Sequence, residues 1–248
     1  MCHHACPAPI AGGAGILDEE IALPGADRSL PAFLARPDRA SPAPAVLVIH
    51  DIWGANDFYH DLARRLAGEG FAALLPDLFA REGPLPESTR EAARARRARL
   101  DPARTQADVV AALGWLRDRP DTGATVGAVG FCMGGTLAML AAARAPVPDA
   151  VVAFYGFPNA DPTPPLAEVD RLRAPLLAFW GDQDHGVGMD TVAAYQSALA
   201  AANSRHEIVI YPDYPHGFLS FDPASPHAAG SADAWARTLA FLRAELGG

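Results

Sequence analysis

Short apolar runs that alternate with helix-like segments constrain the fold of this chain most strongly. The sequence predicts strands over 30–36, 45–50, 71–76, 125–131, 150–155, 176–181 and 207–211, and helices over 57–68, 87–100, 105–117, 134–144, 189–202 and 232–246. Continuous apolar strands such as AVLVIH are typical of parallel sheets that are covered on both faces. We therefore expect a flexible leader over 1–15 and one α/β domain over 16–248, built on a mainly parallel sheet of about eight strands.

A cysteine stands at a predicted strand-to-helix corner, in the run Gly130-Phe131-Cys132-Met133-Gly134. This is the spacing of a nucleophile elbow, with cysteine in place of serine. Glycines on either side allow strand and helix to approach closely, and the start of the helix favours a thiolate. A buried structural cysteine is the alternative, because free cysteines often lie in cores. The glycine spacing favours Cys132 as a nucleophile.

A cysteine nucleophile needs a base, and the base needs a carboxylate to orient it. In a fold of this kind the acid and then the base should follow the nucleophile, on loops after later strands. The loop GDQDHGV offers Asp182 and Asp184, and the loop PDYPHGF offers His216. Asp184 lies further into its loop and is the preferred acid, whereas Asp182 is expected to stabilise the turn. His216 is preferred to His185, which follows Asp184 too closely.

The loop after the strand AVLVIH, residues 50–56, should supply half of an oxyanion hole. We expect the backbone N–H of Ile52 to be one donor and that of Met133 to be the other. Asp51 should lie beside the thiol, where its carboxylate can accept the proton; a turn or cap residue is the alternative. Trp53 either walls the substrate pocket or packs in the core.

Composition excludes several other classes of protein. The net charge of −9 argues against nucleic acids and anionic membranes as partners. All 20 basic residues are arginine, so Schiff-base chemistry and a Walker-type phosphate loop are both excluded. No apolar stretch approaches the length of a membrane span, and the N-terminus lacks the features of a secretory signal, so we expect a cytoplasmic protein.

Two clusters outside the predicted site are given structural interpretations. Cys2, His3, His4 and Cys6 lack a second ligand pair at zinc-finger spacing, so a frayed terminus is preferred to a metal site. The segment 89–104 is rich in arginine: it holds Arg90, Arg94, Arg96, Arg97, Arg99 and Arg104. A solvated helix face is preferred to an anion-binding patch, because no aromatic residues are interleaved with the arginines.

The chain resembles the dienelactone hydrolase family, a branch of the α/β-hydrolase fold that uses a Cys-His-Asp triad. The resemblance extends from about residue 30 to 242, through HDIWGAN (50–56), PDLFAR (76–81), GFCMGG (130–135), GDQD (181–184) and PHGF (215–218). It implies hydrolysis of lactones or esters without cofactor or metal, with Cys132 as nucleophile, His216 as base and Asp184 orienting the base. It also implies that Arg81 binds a substrate carboxylate; the alternatives are a surface arginine or a partner for acidic side chains near Glu82.

This chain departs from the family pattern at two places. The family often has glutamate where Asp51 stands here. The type enzymes carry a serine and a second arginine after the histidine, whereas this chain continues with Gly217, Phe218, Leu219 and Ser220. The resemblance therefore predicts the chemistry more closely than the substrate, which we expect to be a small lactone or ester, either anionic or neutral.

Two other functions are compatible with the same residues. One is a binding protein on this fold, with Cys132 as a redox-sensitive thiol. The other is a thioesterase or peptidase with the same triad, because a fold alone does not determine the substrate. We expect a monomer or a weak homodimer.

Overall fold

The structure is a computed structural model, which describes residues 15–144 and 147–247. Its eight strands are β1 (Ile16–Pro24), β2 (Ser29–Pro37), β3 (Ala43–Ile49), β4 (Ala72–Pro76), β5 (Thr122–Phe131), β6 (Ala150–Phe154), β7 (Leu176–Gly181) and β8 (His206–Tyr211). The helices are α1 (Asp57–Gly68), α2 (Arg90–Arg97), α3 (Pro102–Asp118), α4 (Met133–Ala141), α5 (Met189–Ala201) and α6 (Ala228–Leu246), with a 3-10 helix at Pro165–Arg171. The predicted leader and its Cys2/His3/His4/Cys6 cluster fall almost entirely outside the described residues.

The strands form one sheet in the order β1-β2-β4-β3-β5-β6-β7-β8. The six strands from β4 to β8 in this order are parallel, whereas β1 and β2 pair antiparallel at one edge. Every residue of β3, β4, β6 and β7 is buried, because helices cover both faces of the central sheet. The predicted α/β-hydrolase architecture is confirmed.

Strand β1 and the 3-10 helix are elements that the sequence did not predict. The strand's sequence, ILDEEIALP, carries three acidic residues and is only partly buried, as expected for an edge strand with one solvated face. Within the described residues, no helix is long and apolar enough to cross a membrane.

The parallel strands end together at one edge of the sheet, and this edge carries the predicted site. Phe131 at the end of β5 is in register with Phe154 at the end of β6, and Phe154 is in register with Phe179 of β7. The three rings stack at centroid distances of 4.9 and 4.7 Å. The loops that follow β5, β6 and β7 therefore start from one rigid aromatic layer.

Candidate active site

Cys132 occupies a strained turn between β5 and α4. Its backbone has φ 55° and ψ −115°, in the positive-φ region that non-glycine residues rarely adopt. A Cβ at Gly130 would overlap the carbonyl oxygen of Gly134, and a Cβ at Gly134 would overlap that of Ile49. These two glycines therefore let strand and helix converge, which is the geometry predicted for a nucleophile elbow.

Cys132 is fixed by its backbone, and its side chain lies at the start of a helix. Its N–H donates to the carbonyl of Phe154 at 2.9 Å, and its own carbonyl accepts from the N–H of Thr136 at 3.1 Å. The side chain is buried, with the residue 6% exposed. Because the first N–H groups of α4 have no partner within the helix, they favour a negative charge on the sulfur.

His216 and Asp184 are brought together from two loops, at positions 32 residues apart. His216 Nδ1 lies 2.7 Å from Asp184 Oδ2. Asp184 is almost fully buried, and its other oxygen accepts from the N–H groups of Gly186 and Val187, both at 3.2 Å. With the Nδ1 proton donated to the carboxylate, the neutral ring keeps its lone pair on Nε2, where a base needs it.

Tyr155 follows the residue that bonds to Cys132, and its ring contacts His216. Cys132 bonds to the carbonyl just before Tyr155, and the Tyr155 ring is 5.0 Å from the ring of His216. The N–H of Tyr155 donates to Phe179 in the next strand at 2.7 Å. Cys132 and His216, the predicted nucleophile and base, thus lie on loops at the same edge of the sheet.

Asp182, the acid that the sequence analysis passed over, has a different role. Its Oδ1 accepts from the N–H of Asp213 at 2.7 Å, and Asp213 lies in the loop that carries His216. Asp182 therefore ties the loop after β7 to the loop after β8, rather than orienting the imidazole.

The predicted oxyanion donors belong to two backbone segments that lie against each other. Met133 is the first residue of α4, and its N–H is among those that the helix leaves without an internal acceptor. The close approach of Gly134 to the carbonyls of Ile49 and His50 brings the end of β3, and hence the loop with Ile52, against this helix end. The two N–H groups remain a predicted oxyanion hole.

His50 is a residue that the sequence analysis did not assign to the site. It is fully buried; its Nε2 accepts from the N–H of Leu78 at 3.1 Å, so Nδ1 carries the proton and donates to the carbonyl of Asp51 at 2.8 Å. Burial lowers the pKa of His50, so the ring is neutral at pH 7. Since C=O and N–H point in opposite directions across a trans peptide, holding the Asp51 carbonyl fixes the direction of the Ile52 N–H.

Replacing His50 with leucine is expected to lower kcat on a neutral aryl ester about 10- to 100-fold with little change in KM, because a misdirected oxyanion donor weakens mainly the transition state. His50→Gln, whose amide can both donate and accept, should recover part of the loss. Steady-state kinetics of both variants test this. A rise in KM with kcat intact would mean that His50 does not act through the oxyanion loop.

Asp51, Tyr59 and Cys132 form a buried electrostatic group. Asp51 Oδ1 accepts from the N–H of Trp53 at 2.8 Å, and the Tyr59 hydroxyl accepts from the N–H of Asp51 at 3.1 Å. Burial, followed by the charges of Asp51, Tyr155 and Cys132, raises the pKa of Tyr59 well above its usual value, so it remains a neutral phenol. Contact between Asp51 and the thiol, and a pocket-wall role for half-buried Trp53, stay predictions.

Arg96 corrects the interpretation of the arginine-rich segment. Five of its six arginines are exposed, as expected for a solvated face, but Arg96 is only 5% exposed. Its guanidinium lies 4.1 Å from the centroid of the Phe79 ring and donates to the carbonyl of Ile52 at 3.3 Å. The sequence-based interpretation was wrong here, because an aromatic face and a backbone carbonyl replace water around this cation.

Arg81 is held by two carboxylates of the protein itself. It donates to Asp108 through Nη1 at 2.6 Å and Nη2 at 3.2 Å, and its Nε donates to Asp27 at 2.7 Å. Hydrogen bonding to Asp108 is the main cause that raises the pKa of Arg81. These contacts favour a structural role for Arg81, with Asp108 and Asp27 as its partners instead of acidic residues near Glu82. Binding of a substrate carboxylate by Arg81 stays a prediction.

The variant Arg81→Ala is expected to lower the free energy of unfolding by about 3–5 kcal/mol, because Asp108 is 1% exposed and would keep a buried charge without its partner. Arg104→Ala, which removes an exposed partner of Asp27, is the matched control and should cost about 1 kcal/mol or less. Urea unfolding measures both. A selective loss of kcat/KM for an anionic lactone over a neutral ester, with stability unchanged, would instead establish Arg81 as an anion site.

Within residues 15–144 and 147–247, no group of three histidine, cysteine, aspartate or glutamate side chains is arranged to hold a metal ion. Catalysis without a cofactor or metal stays a prediction of the family resemblance.

A parallel sheet with an elbow cysteine and a later Asp–His pair, in this chain order, defines the class of α/β-hydrolases. A family model described as "Dienelactone hydrolase family" matches residues 30–246. The chain belongs to the dienelactone hydrolase family, and it is a hydrolase.

Individual relatives agree with this assignment. The carboxymethylenebutenolidase of Rhodococcus opacus is 32% identical over an alignment of 254 positions, which covers 99% of this chain and 98% of the relative. A crystal structure named "Putative Dienelactone Hydrolase" from Klebsiella pneumoniae subsp. pneumoniae is 34% identical, with a TM-score of 0.84 and coverage of 91% of this chain and 98% of the other. An acylaminoacyl peptidase, 15% identical with a TM-score of 0.73 over 94% of this chain and 42% of its own, shares the fold.

Proposed function

We propose that this protein hydrolyses lactones or carboxylic esters through a thioester formed on Cys132. The observation that carries the proposal is the strained backbone of Cys132 at the start of α4, together with the 2.7 Å bond between His216 and Asp184 at the same sheet edge. A cysteine in such a turn has its side chain presented above the sheet, which a structural cysteine does not require. The carboxymethylenebutenolidase activity named for the Rhodococcus opacus relative is consistent with it.

In the first step, the substrate carbonyl enters beside Cys132, and the N–H groups of Ile52 and Met133 bind its oxygen. His216 accepts the thiol proton through Nε2, and the sulfur attacks the carbonyl carbon. The C–O bond of the ester or lactone then breaks, His216 returns its proton to the departing oxygen, and a thioester remains on Cys132. Asp184 holds the imidazole and stabilises its positive charge.

In the second step, His216 removes a proton from water, which attacks the thioester carbonyl. The same two N–H groups bind the developing oxyanion, and the thiolate of Cys132 leaves as the carboxylic acid is released. A lactone yields a single hydroxy acid, whereas an open ester yields an acid and an alcohol. The substrate is a small molecule; its anionic character, the oligomeric state and a cytoplasmic location stay predictions.

A pre-steady-state burst experiment with excess 4-nitrophenyl acetate tests this function. We expect release of one equivalent of nitrophenolate in a burst, a mass increase of one acetyl group on the peptide that contains Cys132, and continued turnover. A panel of lactones, aryl esters and thioesters then ranks the substrates by kcat/KM. Stoichiometric release without turnover would support the thiol-binding alternative, and a strong preference for thioesters would identify a thioesterase.

A further inference from the structure

A groove of about 710 Å³ runs along α4 and starts at Met133, the residue that follows Cys132. One wall is a single face of α4 with the turn after it, formed by Met133, Thr136, Leu137, Leu140 and Arg144. The other walls are residues 97–107 with Val110, and residues 160–163. We call this the α3–α4 groove. Its volume falls within the range of about 300–1,000 Å³ that is usual for small-molecule sites.

The near end of the groove lies next to Cys132 along the chain. Met133, whose N–H is a predicted oxyanion donor, lines its near end. Thr136, the next residue of the same face, donates from its hydroxyl to the carbonyl of Cys132 at 3.3 Å and accepts from the N–H of Phe157 at 2.9 Å. These two residues place the near end of the groove within about one helical turn of Cys132.

Gln106 is the unusual member of this groove. It is 8% exposed, and neither its carboxamide oxygen nor its nitrogen has a hydrogen-bond partner among the described residues. Leaving a buried polar group without a partner destabilises a protein, so an amide in this position needs a reason. Because the amide can both donate and accept, it matches a ligand group that does the same, such as an amide or a hydroxyl.

The remaining lining fits an aliphatic chain better than a second protein. Leu137 and Leu140 are more than nine-tenths buried, so their contact surface lies within a cleft rather than on a flat face. Arg97 and Arg144 stand at the rim with Asp161, which leaves charged groups around a narrow apolar channel. Apolar walls with a few polar groups, here Gln106, Thr105, Thr136 and Thr163, are typical of ligand pockets.

We propose that the α3–α4 groove binds the acyl chain of the substrate and that Gln106 binds an amide or hydroxyl group on that chain. The proposal rests on the hydrolase function argued above. It assigns the substrate class: esters of extended aliphatic acids that carry a hydrogen-bonding group away from the scissile carbonyl.

Paired 4-nitrophenyl esters test the proposal. The nonanoate and the 6-acetamidohexanoate have acyl chains of equal length and differ by one amide. The 4-acetamidobutanoate and the 8-acetamidooctanoate, each with an aliphatic ester of equal length, place the amide at other positions along the groove. We expect the wild-type protein to prefer one acetamido ester over its aliphatic match, and Gln106→Leu to reduce this preference about 3- to 10-fold, as for the loss of one hydrogen bond. Gln196→Leu, which replaces an exposed glutamine on α5, is the control and should keep the preference.

Two further measurements separate a binding role from a structural role and from failure of the hydrolase function. Gln106→Leu should leave the free energy of unfolding unchanged or raised, because an apolar side chain of similar size replaces an unpartnered amide. In Cys132→Ala, NMR should show the Gln106 side-chain amide shifting as N-acetyl-6-aminohexanoate is added, whether or not any ester is turned over. An unchanged preference in Gln106→Leu, no shift, or a shift that follows protein concentration as copies associate would each overturn the proposal.

Discussion

Replacing Cys132 with alanine is expected to abolish turnover, with kcat/KM falling about 10⁴-fold or more while the protein stays folded. Loss of a nucleophile removes the covalent route, and only binding and the oxyanion donors continue to accelerate hydrolysis. Alanine keeps the backbone bond from position 132 to Phe154 and adds no atom to the turn. Cys132→Ser should retain at most weak activity, because a hydroxyl is far less acidic than the thiol for which the helix end is arranged.

The chain offers a matched control, because its three cysteines are Cys2, Cys6 and Cys132. A Cys2→Ala/Cys6→Ala variant keeps only the Cys132 thiol and should retain full activity. One equivalent of iodoacetamide should then inactivate this variant completely. Steady-state hydrolysis of 4-nitrophenyl acetate and circular dichroism measure activity and fold. Undiminished hydrolysis by Cys132→Ala would refute the thioester mechanism.

The central sheet was predictable because its strands are fully buried. The runs that became β3, β4, β6 and β7 are almost wholly apolar, and nothing but a covered parallel sheet explains several such runs between helices. Strand β1 was missed for the opposite reason: it lies at the edge and is only partly buried, and its Asp18 and Glu19 pair with Arg64 and Arg36 instead of entering the core. Periodicity identifies a strand by what it buries, so it is weakest at the edge of a sheet.

The edge of the sheet that carries the candidate site was also predictable, because the loops that follow parallel strands all begin at the carboxyl edge. What the sequence does not carry are contacts with the backbone of distant segments. His50 bonds to the backbone of Asp51 and Leu78, and Arg96 bonds to the carbonyl of Ile52. Such backbone partners cannot be recognised in the sequence, since every residue has a carbonyl and almost every residue has an N–H. The ion pair between Arg81 and Asp108, 27 positions away, likewise gave no local signal in the sequence.

The second large effect is expected at the imidazole and its carboxylate. His216→Ala should lower kcat about 10⁴-fold or more, because the base of both chemical steps is lost. Asp184→Asn should cost about 10²- to 10⁴-fold: the amide nitrogen would face Nδ1, the ring proton would move to Nε2, and the base would present the wrong tautomer to Cys132. The amide oxygen that this substitution leaves could still accept from Gly186 and Val187, so the loop should keep its shape.

The double variant decides whether the two residues act as one unit. If Asp184 acts only by orienting His216, the Asp184→Asn change has nothing left to disturb once the imidazole is gone, and the double variant should match His216→Ala within a few-fold. Asp182→Asn is the control: asparagine keeps an oxygen that can accept from the N–H of Asp213, so kcat should change less than about tenfold. A double variant whose loss equals the product of the single losses, or an Asp182→Asn variant more damaged than Asp184→Asn, would place the orienting carboxylate elsewhere. Both outcomes are measured by kcat on one neutral aryl ester, with urea unfolding run beside them to separate catalysis from stability.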